Sequence, residues 1–185
     1  NVHPVDAMYR ARGIEGARSG GTLHEMVQKL AMLPLLFSPG TRWSYSVATD
    51  VIGYLVEILS GQSLDAYLAD CILKPLGMDD TSFGVADAKV SRFAANYEYR
   101  KGGFRLIDSP KESVYRGQRT FLSGGGGMVS TAQDYFQFLH MLRNKGVLNG
   151  ERILSRKTVE LMTMNHLPDN ADLSRMGQKV FSEMP

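Results

Sequence analysis

Tyr45 is the residue of this sequence whose setting is best suited to chemistry. It follows the turn Pro39-Gly40 and precedes by one or two residues a helix predicted near Ala48–Leu59. A helix N-terminus carries about half a positive charge and free N–H groups. A phenol held there can have its pKa lowered from about 10, which suits it to proton transfer. On spacing alone, a packing tyrosine whose hydroxyl satisfies a loop is the simpler interpretation.

Other familiar catalytic patterns do not occur in the sequence. The four histidines have neither His-x-His nor His-Glu-x-x-His spacing, so we expect no metal site. The glycine run Gly124–Gly127 lacks the lysine of a phosphate loop, and no Gly-x-Ser-x-Gly elbow is present. We therefore expect no cofactor. The histidines are His3, His24, His140 and His166.

The composition is ordinary for one globular domain. The chain has 185 residues, of which 43% are hydrophobic and 22% charged, and its net charge is +2. This balance indicates neither a nucleic-acid surface nor a membrane patch. The single cysteine, Cys71, lies in an apolar helical stretch and is predicted to be a buried, inert thiol, so it does not indicate the compartment.

The elements that would position Tyr45 are mostly helices. Capping residues, apolar periodicity and glycine or proline stops predict five of them. They begin at Thr22 (capping box with Glu25), near Ala48 (ending at Gly61), at Ser63 (ending before Pro75), near Thr131 (capping box Ser130 and Gln133) and at Ser155. Two alternating runs, Asn96–Arg100 and Phe104–Leu106, predict one hairpin about Gly102-Gly103. Residues 1–21 are predicted to be a loop.

Three segments together resemble the serine β-lactamase and penicillin-binding protein superfamily. They are Pro39-Gly40-x-x-x-x-Tyr45-Ser46-Val47, Ile72-Leu73-Lys74-Pro75-Leu76-Gly77-Met78 with Thr81-Ser82-Phe83, and Ser123-Gly124-Gly125-Gly126-Gly127-Met128-Val129-Ser130-Thr131 followed by Asp134. The tyrosine element alone is short, but the order and spacing of all three are specific. The resemblance implies a mainly α fold with a small antiparallel β-hairpin. That is the helical-domain part of the β-lactamase/transpeptidase-like α+β fold, lacking most of the sheet domain.

The resemblance also implies a role for Tyr45. In this superfamily a Ser-x-x-Lys supplies the nucleophile and a base, a tyrosine carries a second proton, and a late strand with Lys/His-Thr-Gly or Trp-Gly-Gly binds substrate. No serine of this chain has a lysine three residues later, and the late motif does not occur. We therefore expect the full-length protein to be a serine hydrolase that forms an acyl-enzyme, and this chain alone to be inactive.

The substrate class is suggested by Val47. Penicillin-recognising relatives commonly have asparagine at this third position of the tyrosine element, where its amide contacts the substrate. Because valine cannot make that hydrogen bond, the sequence favours a small ester, in the branch resembling class C β-lactamases, over a β-lactam. A D-amino-acid peptide or amide is a further alternative, and a non-catalytic helical binding module is the rival from another class.

The glycine turn has two interpretations. Ser123, Gly124 and Gly125 either line the acyl pocket with their backbone or form only a flexible turn before a helix.

The resemblance finally suggests how the chain is organised. Residues 1–21 would be a lead-in loop, 22–166 the helical domain, and 167–185 a linker toward the sheet domain. Apolar surface that packs on that missing domain is expected to cause self-association of the chain alone. The only other partner expected is a small-molecule ester or β-lactam substrate.

Overall fold

The computed structural model describes residues 4–14, 19–41 and 43–172, and within these ranges the chain is mainly α-helical with two short antiparallel hairpins. The α-helices are α1 (Pro4–Ala11), α2 (Leu23–Ala31), α3 (Ala48–Ser60), α4 (Leu64–Leu68), α5 (Ala132–Arg143) and α6 (Arg156–Met162). The strands are β1 (Asn96–Arg100), β2 (Gly103–Asp108), β3 (Val147–Leu148) and β4 (Glu151–Arg152). Short 3₁₀ helices cover Asp87–Arg92 and Pro168–Asn170. The predicted mainly α fold with a small antiparallel hairpin is confirmed.

The predicted helix ends are largely confirmed, because they depend on local chemistry. The capping box of α2 is complete: the Thr22 side chain accepts from the Glu25 backbone N–H, and the Glu25 carboxylate accepts from that of Thr22. Gly61 ends α3 in the left-handed conformation, with φ of 69°. The Ser155 hydroxyl caps α6 by accepting from Thr158 N–H at 3.0 Å.

The cap predicted for α5 is wrong by one residue. Thr131, rather than Ser130, is the N-cap, and its hydroxyl accepts from the backbone N–H of Asp134 at 3.1 Å. The Asp134 carboxylate is buried and accepts hydrogen bonds from Thr131 and from Thr81 on a distant segment. These hydrogen bonds use Asp134 as the third residue of α5, so the helix begins after Thr131 and not after Ser130.

The prediction of a loop over residues 1–21 is wrong for Pro4–Ala11, which form α1. Proline is favoured at the first helical position, and Asp6 lies in the first turn, where a carboxylate is stabilised. Val5 is buried, and Ile14, just after the helix, belongs to a core cluster with Leu23. Burial of these apolar side chains outweighs the polar composition of the segment. The glycine-rich part of the prediction lies partly in residues 15–18, outside the described residues.

The prediction that Cys71 is buried is also wrong, because this cysteine is exposed. After α4 the chain continues as one π-helical turn, Ala69–Leu73. A π turn holds more residues than an α turn, so it rotates the apolar stripe that begins with Leu64 and Leu68. Ile72 and Leu73 then face the core, and Cys71 turns to solvent.

The first hairpin is confirmed, but the sequence analysis missed a second one. β1 pairs with β2 in the register Tyr99 to Phe104, and the turn lies at Lys101-Gly102, one residue before the predicted position. β3 pairs with β4 across Asn149-Gly150, whose φ angles are 51° and 87°. Both angles are positive, as an Asn-Gly hairpin turn requires.

Two buried clusters hold the described part of the chain together. One joins α2, α4 and the segment before the glycine turn, and the other joins the segment after the π turn to α5 and β3. The first contains Ile14, Leu23, Met26, Leu64, Phe83, Phe121 and Leu122, and the second Leu76, Met78, Met141 and Leu148.

Several apolar side chains of the predicted helices point to solvent instead of the core. On α3, Ile52, Leu55, Ile58 and Leu59 are exposed. On α5, Tyr135, Phe136 and Leu139 are exposed, while Met141 is fully buried. The described residues leave these side chains uncovered, and together they are called the exposed apolar surface on α3 and α5.

The described part of the tail is short. Ala171 is buried, and Asn165 donates a hydrogen bond to its carbonyl at 2.8 Å, so this part of the predicted linker packs on the domain. The rest of that prediction, residues 173–185, lies outside the described residues. None of the described helices has the length and apolar character needed to cross a bilayer.

Candidate active site

Tyr45 lies on an extended segment between a turn and the start of α3. Gly40, with φ of 81°, makes the turn, and Thr41 donates from its hydroxyl to the Ser38 carbonyl at 2.7 Å. The helix begins after Val47, two residues beyond Tyr45. The tyrosine is 64% exposed, so its ring lies on the surface and not in a closed apolar interior. The structure therefore leaves Tyr45 accessible to a substrate or to another part of a protein.

The first turn of α3 is capped by Ser46 in place of Val47. Val47 is the N-cap residue but has no side chain that can accept a hydrogen bond, and the Ser46 hydroxyl accepts from Ala48 N–H at 3.1 Å. The Val47 side chain is half-buried and packs on the core cluster that contains Leu23. Val47 thus anchors the tyrosine element to the core, and only part of its side chain is left to face a ligand.

The predicted glycine segment, defined here as Ser123–Gly127, lies directly against the first turns of α3. A Cβ atom added to Gly124 would be 2.3 Å from the Thr49 carbonyl oxygen, and one added to Gly125 would be 2.7 Å from the Thr49 hydroxyl oxygen. The first distance excludes a side chain at position 124, so Gly124 permits close approach of two backbones, while Gly125 lies against the Thr49 side chain. The structure thereby brings Ser123, Gly124 and Gly125 against the helix that Tyr45 precedes.

A buried carboxylate joins the glycine segment to the helix. Asp50, in the first turn of α3, accepts a hydrogen bond of 2.5 Å from the Ser123 hydroxyl and one of 3.3 Å from the Gly125 backbone N–H. Asp50 and Ser123 are each 3% exposed. A carboxylate in the first helical turn is also stabilised by the positive end of the helix dipole. These contacts make a buried, hydrogen-bonded link between the glycine segment and α3.

Sequence analysis missed Asp50, although a signal was present. Val47, Asp50 and Tyr54 are spaced at i, i+3 and i+7, which places them on one face of the helix, with Gly53 beside them. Gly53 is buried, and its added Cβ would contact Leu23 and Leu64, so this is the inward face. A carboxylate on the inward face of a helix requires hydrogen-bond donors from another segment.

The far end of the glycine segment is also fixed. Ser82 and Val129 exchange two backbone hydrogen bonds, of 3.1 and 2.8 Å. The Asp134 carboxylate accepts from the backbone N–H of Asp80 and from the Thr81 hydroxyl, both at 2.8 Å. These bonds attach the start of α5 to the segment around Thr81, so the glycine segment is held at both ends.

A surface cluster supports this attachment. Arg92 donates two hydrogen bonds to the Asp80 carboxylate, and Lys89 forms an ion pair with it at 2.8 Å. These hydrogen bonds, from Arg92 and then Lys89, lower the pKa of Asp80 to about 2. The same pairing raises the pKa of the Arg92 guanidinium. Asp80 is thus ionised over the ordinary pH range.

An open groove of about 880 Å³ runs along α3 beside the glycine segment. Its walls are mostly apolar, from Ile52, Val56 and Leu68, and Tyr135 lies at its edge. The glycine segment contributes backbone to the same groove. Among the described residues, no group of three or more His, Cys, Asp or Glu side chains is placed to hold a metal ion.

The chain is similar to known proteins of one family. Residues 3–178 match the family described as Beta-lactamase. The chain is 34% identical over 142 residues to esterase EstB of Burkholderia gladioli, covering 68% of this chain and 36% of that protein. It is 27% identical over 183 residues to a putative D-alanyl-D-alanine carboxypeptidase of Escherichia coli O157:H7, covering 90% of this chain and 42% of that protein.

A solved structure agrees with these matches. The structure of EstCE1, described as a hydrolase with promiscuous acyltransferase activity, superposes with a TM-score of 0.74 at 28% identity. The superposition covers 89% of this chain and 46% of EstCE1. The chain therefore spans less than half the length of the proteins it resembles, and its fold is part of a larger one.

Proposed function

Because this chain belongs to the β-lactamase family, of the serine β-lactamase and penicillin-binding protein superfamily, we propose that the full-length protein is a serine hydrolase that cleaves small acyl esters through an acyl-enzyme. The observation that carries this proposal is the placement of Tyr45, exposed at the entrance of α3 and beside a helix turn on which the glycine segment packs. The similarity to esterase EstB supports an ester substrate. The similarity to a protein described as a putative D-alanyl-D-alanine carboxypeptidase keeps a peptide or amide substrate as the alternative.

Tyr45 is proposed to carry a proton. A serine hydroxyl is a weak nucleophile and must lose its proton as it attacks a carbonyl. A phenol coupled to a nearby lysine can accept that proton and return it to the leaving group, which contributes roughly 10²–10⁴ in rate. The serine and lysine would come from a Ser-x-x-Lys that this chain does not contain, so the chain alone is proposed to be inactive.

Val47 and the glycine segment are proposed to contact the substrate. Val47 offers no amide to a β-lactam, and a site without that hydrogen bond discriminates against substrates that need it. Ser123, Gly124 and Gly125 are proposed to line the acyl pocket, since their backbone forms part of the groove beside α3. The alternative role of this segment, a flexible turn, is less consistent with its fixed ends.

The exposed apolar surface on α3 and α5 is proposed to pack on the rest of the full-length protein. Exposed apolar surfaces of this kind mark interaction sites, and Leu59, at 84% exposure, is the most exposed large apolar residue of α3. In the chain alone this surface would cause self-association. A non-catalytic binding module would keep the same surface, so the surface does not decide between the two functions.

The experiment that tests the proposed function uses the full-length protein. Turnover of p-nitrophenyl acetate and p-nitrophenyl butyrate is compared with turnover of a chromogenic cephalosporin, and the mass of the acid-quenched protein is measured. We expect faster ester turnover and an added mass equal to one acyl group. If neither ester turnover nor an acyl adduct occurs, the binding-module alternative is favoured.

Acyl transfer to an alcohol is a second candidate, favoured by the likeness to EstCE1, described as a hydrolase with promiscuous acyltransferase activity. An acyl-enzyme can pass its acyl group to an alcohol instead of water. Adding a primary alcohol to the ester assay would then yield the new ester. If only the free acid forms, this candidate is excluded.

A further inference from the structure

The buried hydrogen bond between Asp50 and Ser123 lies where the glycine segment meets α3, so it can do more than stabilise the fold. The Ser123 hydroxyl donates to Asp50 at 2.5 Å and accepts from the Gly125 backbone N–H at 3.2 Å. The Gly125 N–H also points to Asp50, at 3.3 Å. A hydrogen bond to an ionised acceptor is stronger than a neutral one, and burial increases this difference. The start of the glycine segment is therefore held at a fixed position.

That position is in van der Waals contact with α3. The added Cβ of Gly124 would be 2.3 Å from the Thr49 carbonyl oxygen, so the two backbones touch. Gly53, one turn further along, completes the contact, because its added Cβ would lie 3.4 Å from the Gly124 Cα. A small displacement of the glycine segment away from α3 would therefore open this interface.

The same helical turn follows Tyr45 closely in the chain. Tyr45 precedes the N-cap of α3 by two residues, and Asp50 is the third residue of the helix. The backbone N–H of Asp50 donates to the Val47 carbonyl at 3.0 Å, so the first turn is closed. A short piece of backbone, helical from Ala48 onward, thus connects the tyrosine to the carboxylate that holds the glycine segment.

We propose that Asp50 and Ser123 are positioning residues whose hydrogen bond fixes the glycine segment relative to Tyr45 and so sets the size of the acyl group that the site accepts. This inference rests on the proposed esterase function. Without the bond, the segment can move away from α3 and the pocket admits longer acyl groups. Neither side chain contacts the substrate in this proposal, because both are buried; Ser123 lines the pocket through its backbone alone.

The chain offers a matched control for a role in stability alone. Ser113 is also buried, at 6% exposure; its hydroxyl donates to the Asp108 carboxylate at 2.8 Å and accepts from the Tyr115 backbone N–H at 3.1 Å. This arrangement repeats that of Ser123, Asp50 and Gly125 but lies in the loop after β2. Ser113→Ala removes the same kind of bond away from the glycine segment.

The test compares Ser123→Ala with Ser113→Ala in the full-length protein. The kcat/KM ratio of p-nitrophenyl butyrate to p-nitrophenyl acetate is measured, with kcat and KM resolved. Butyryl is longer than acetyl by two methylenes, and a pocket distinguishes acyl groups by ~10-fold or more for each methylene, so we expect Ser123→Ala to change the ratio at least ~3-fold in favour of butyrate, mainly through KM. Ser113→Ala is expected to leave the ratio unchanged.

Asp50→Asn provides a second variant if Ser123→Ala does not fold. Its amide keeps an acceptor oxygen but loses the charge, so the bond weakens without leaving a cavity. We expect a ratio change in the same direction of at least ~2-fold. An unchanged ratio in the folded variants would overturn the inference and leave the esterase function intact. Absence of ester turnover in the unaltered protein would overturn both.

Discussion

Replacing Gly124 with alanine tests the contact between the glycine segment and α3. The added methyl group would lie 2.3 Å from the Thr49 carbonyl oxygen and 3.3 Å from the Gly53 backbone nitrogen. The first of these distances is far inside van der Waals contact, and both neighbours are backbone atoms in a helix. Neither can rotate away as a flexible side chain would, so the two segments must separate.

The magnitude follows from overpacking of a close interface. Inserting one methyl group into such a contact costs about 1–3 kcal/mol. A glycine-to-alanine change also stabilises the folded state by about 0.4–1 kcal/mol through the unfolded chain, which offsets part of this cost. We expect Gly124→Ala to lower the free energy of unfolding by about 1–2 kcal/mol. It should also weaken ester turnover, because the segment lines the proposed pocket.

Gly126→Ala is the matched control, two residues away in the same segment. Among the described residues no heavy atom lies within 4 Å of its added Cβ, and its φ is outside the left-handed region. The control should be neutral or slightly stabilising. Both variants are compared with the unaltered full-length protein by urea denaturation. Equal stability of the two variants would refute the close contact between Gly124 and Thr49.

Three further predictions concern other parts of the chain. Val47→Asn should raise cephalosporin turnover relative to p-nitrophenyl acetate turnover by at least ~3-fold, because the amide supplies the missing hydrogen bond; an unchanged ratio would remove Val47 from substrate selection. The pKa of Asp80 is lowered from 3.8 to about 2, so the stability that its ion pairs contribute is present above about pH 4 and is lost as the pH falls toward 2. The midpoint temperature of thermal unfolding should fall as the pH is lowered over that interval, and it should fall less steeply in Arg92→Gln. The same pH dependence of the midpoint in both proteins would contradict a stabilising role for the Asp80 ion pairs. The 185-residue chain alone should self-associate in sedimentation experiments, and Leu59→Lys should reduce this association, whereas strictly monomeric behaviour of the unaltered chain would contradict the proposed role of the apolar surface.

The features predicted correctly from sequence are those with local causes. The capping box of Thr22 and Glu25, the stop at Gly61 and the cap at Ser155 all depend on residues within one helical turn. The hairpin of β1 and β2 follows from alternation on either side of two glycines. The second hairpin was also predictable, since Asn149-Gly150 is the strongest short turn signal in the chain.

The features predicted wrongly depend on contacts between distant segments. Cys71 faces solvent because a π turn rotates the helix, and nothing in the local periodicity indicates that turn. The cap of α5 moved to Thr131 because Asp134 binds a segment about fifty residues earlier, as its 2.8 Å bond from Thr81 shows. Local signals cannot specify such pairings.

In the candidate site, too, features with local causes were predicted and a feature that depends on distant contacts was not. The residue types and spacing around Tyr45 and the glycine run were recognisable, and the structure brings the glycine run against the helix that Tyr45 precedes. Asp50 was missed because a carboxylate in the first turn of a helix ordinarily faces water and stabilises the helix dipole. Its burial depends on Ser123, which lies 73 residues later in the chain.

In the proposed mechanism the Tyr45 hydroxyl transfers a proton during acyl transfer. Tyr45→Phe removes only that oxygen, and Tyr99→Phe provides a control at another exposed tyrosine, in β1. The measurement is steady-state turnover of p-nitrophenyl acetate by the full-length protein and both variants. We expect Tyr45→Phe to lower kcat at least ~10²-fold with little change in KM, and Tyr99→Phe to leave both unchanged. Near-normal kcat in Tyr45→Phe would contradict the claim.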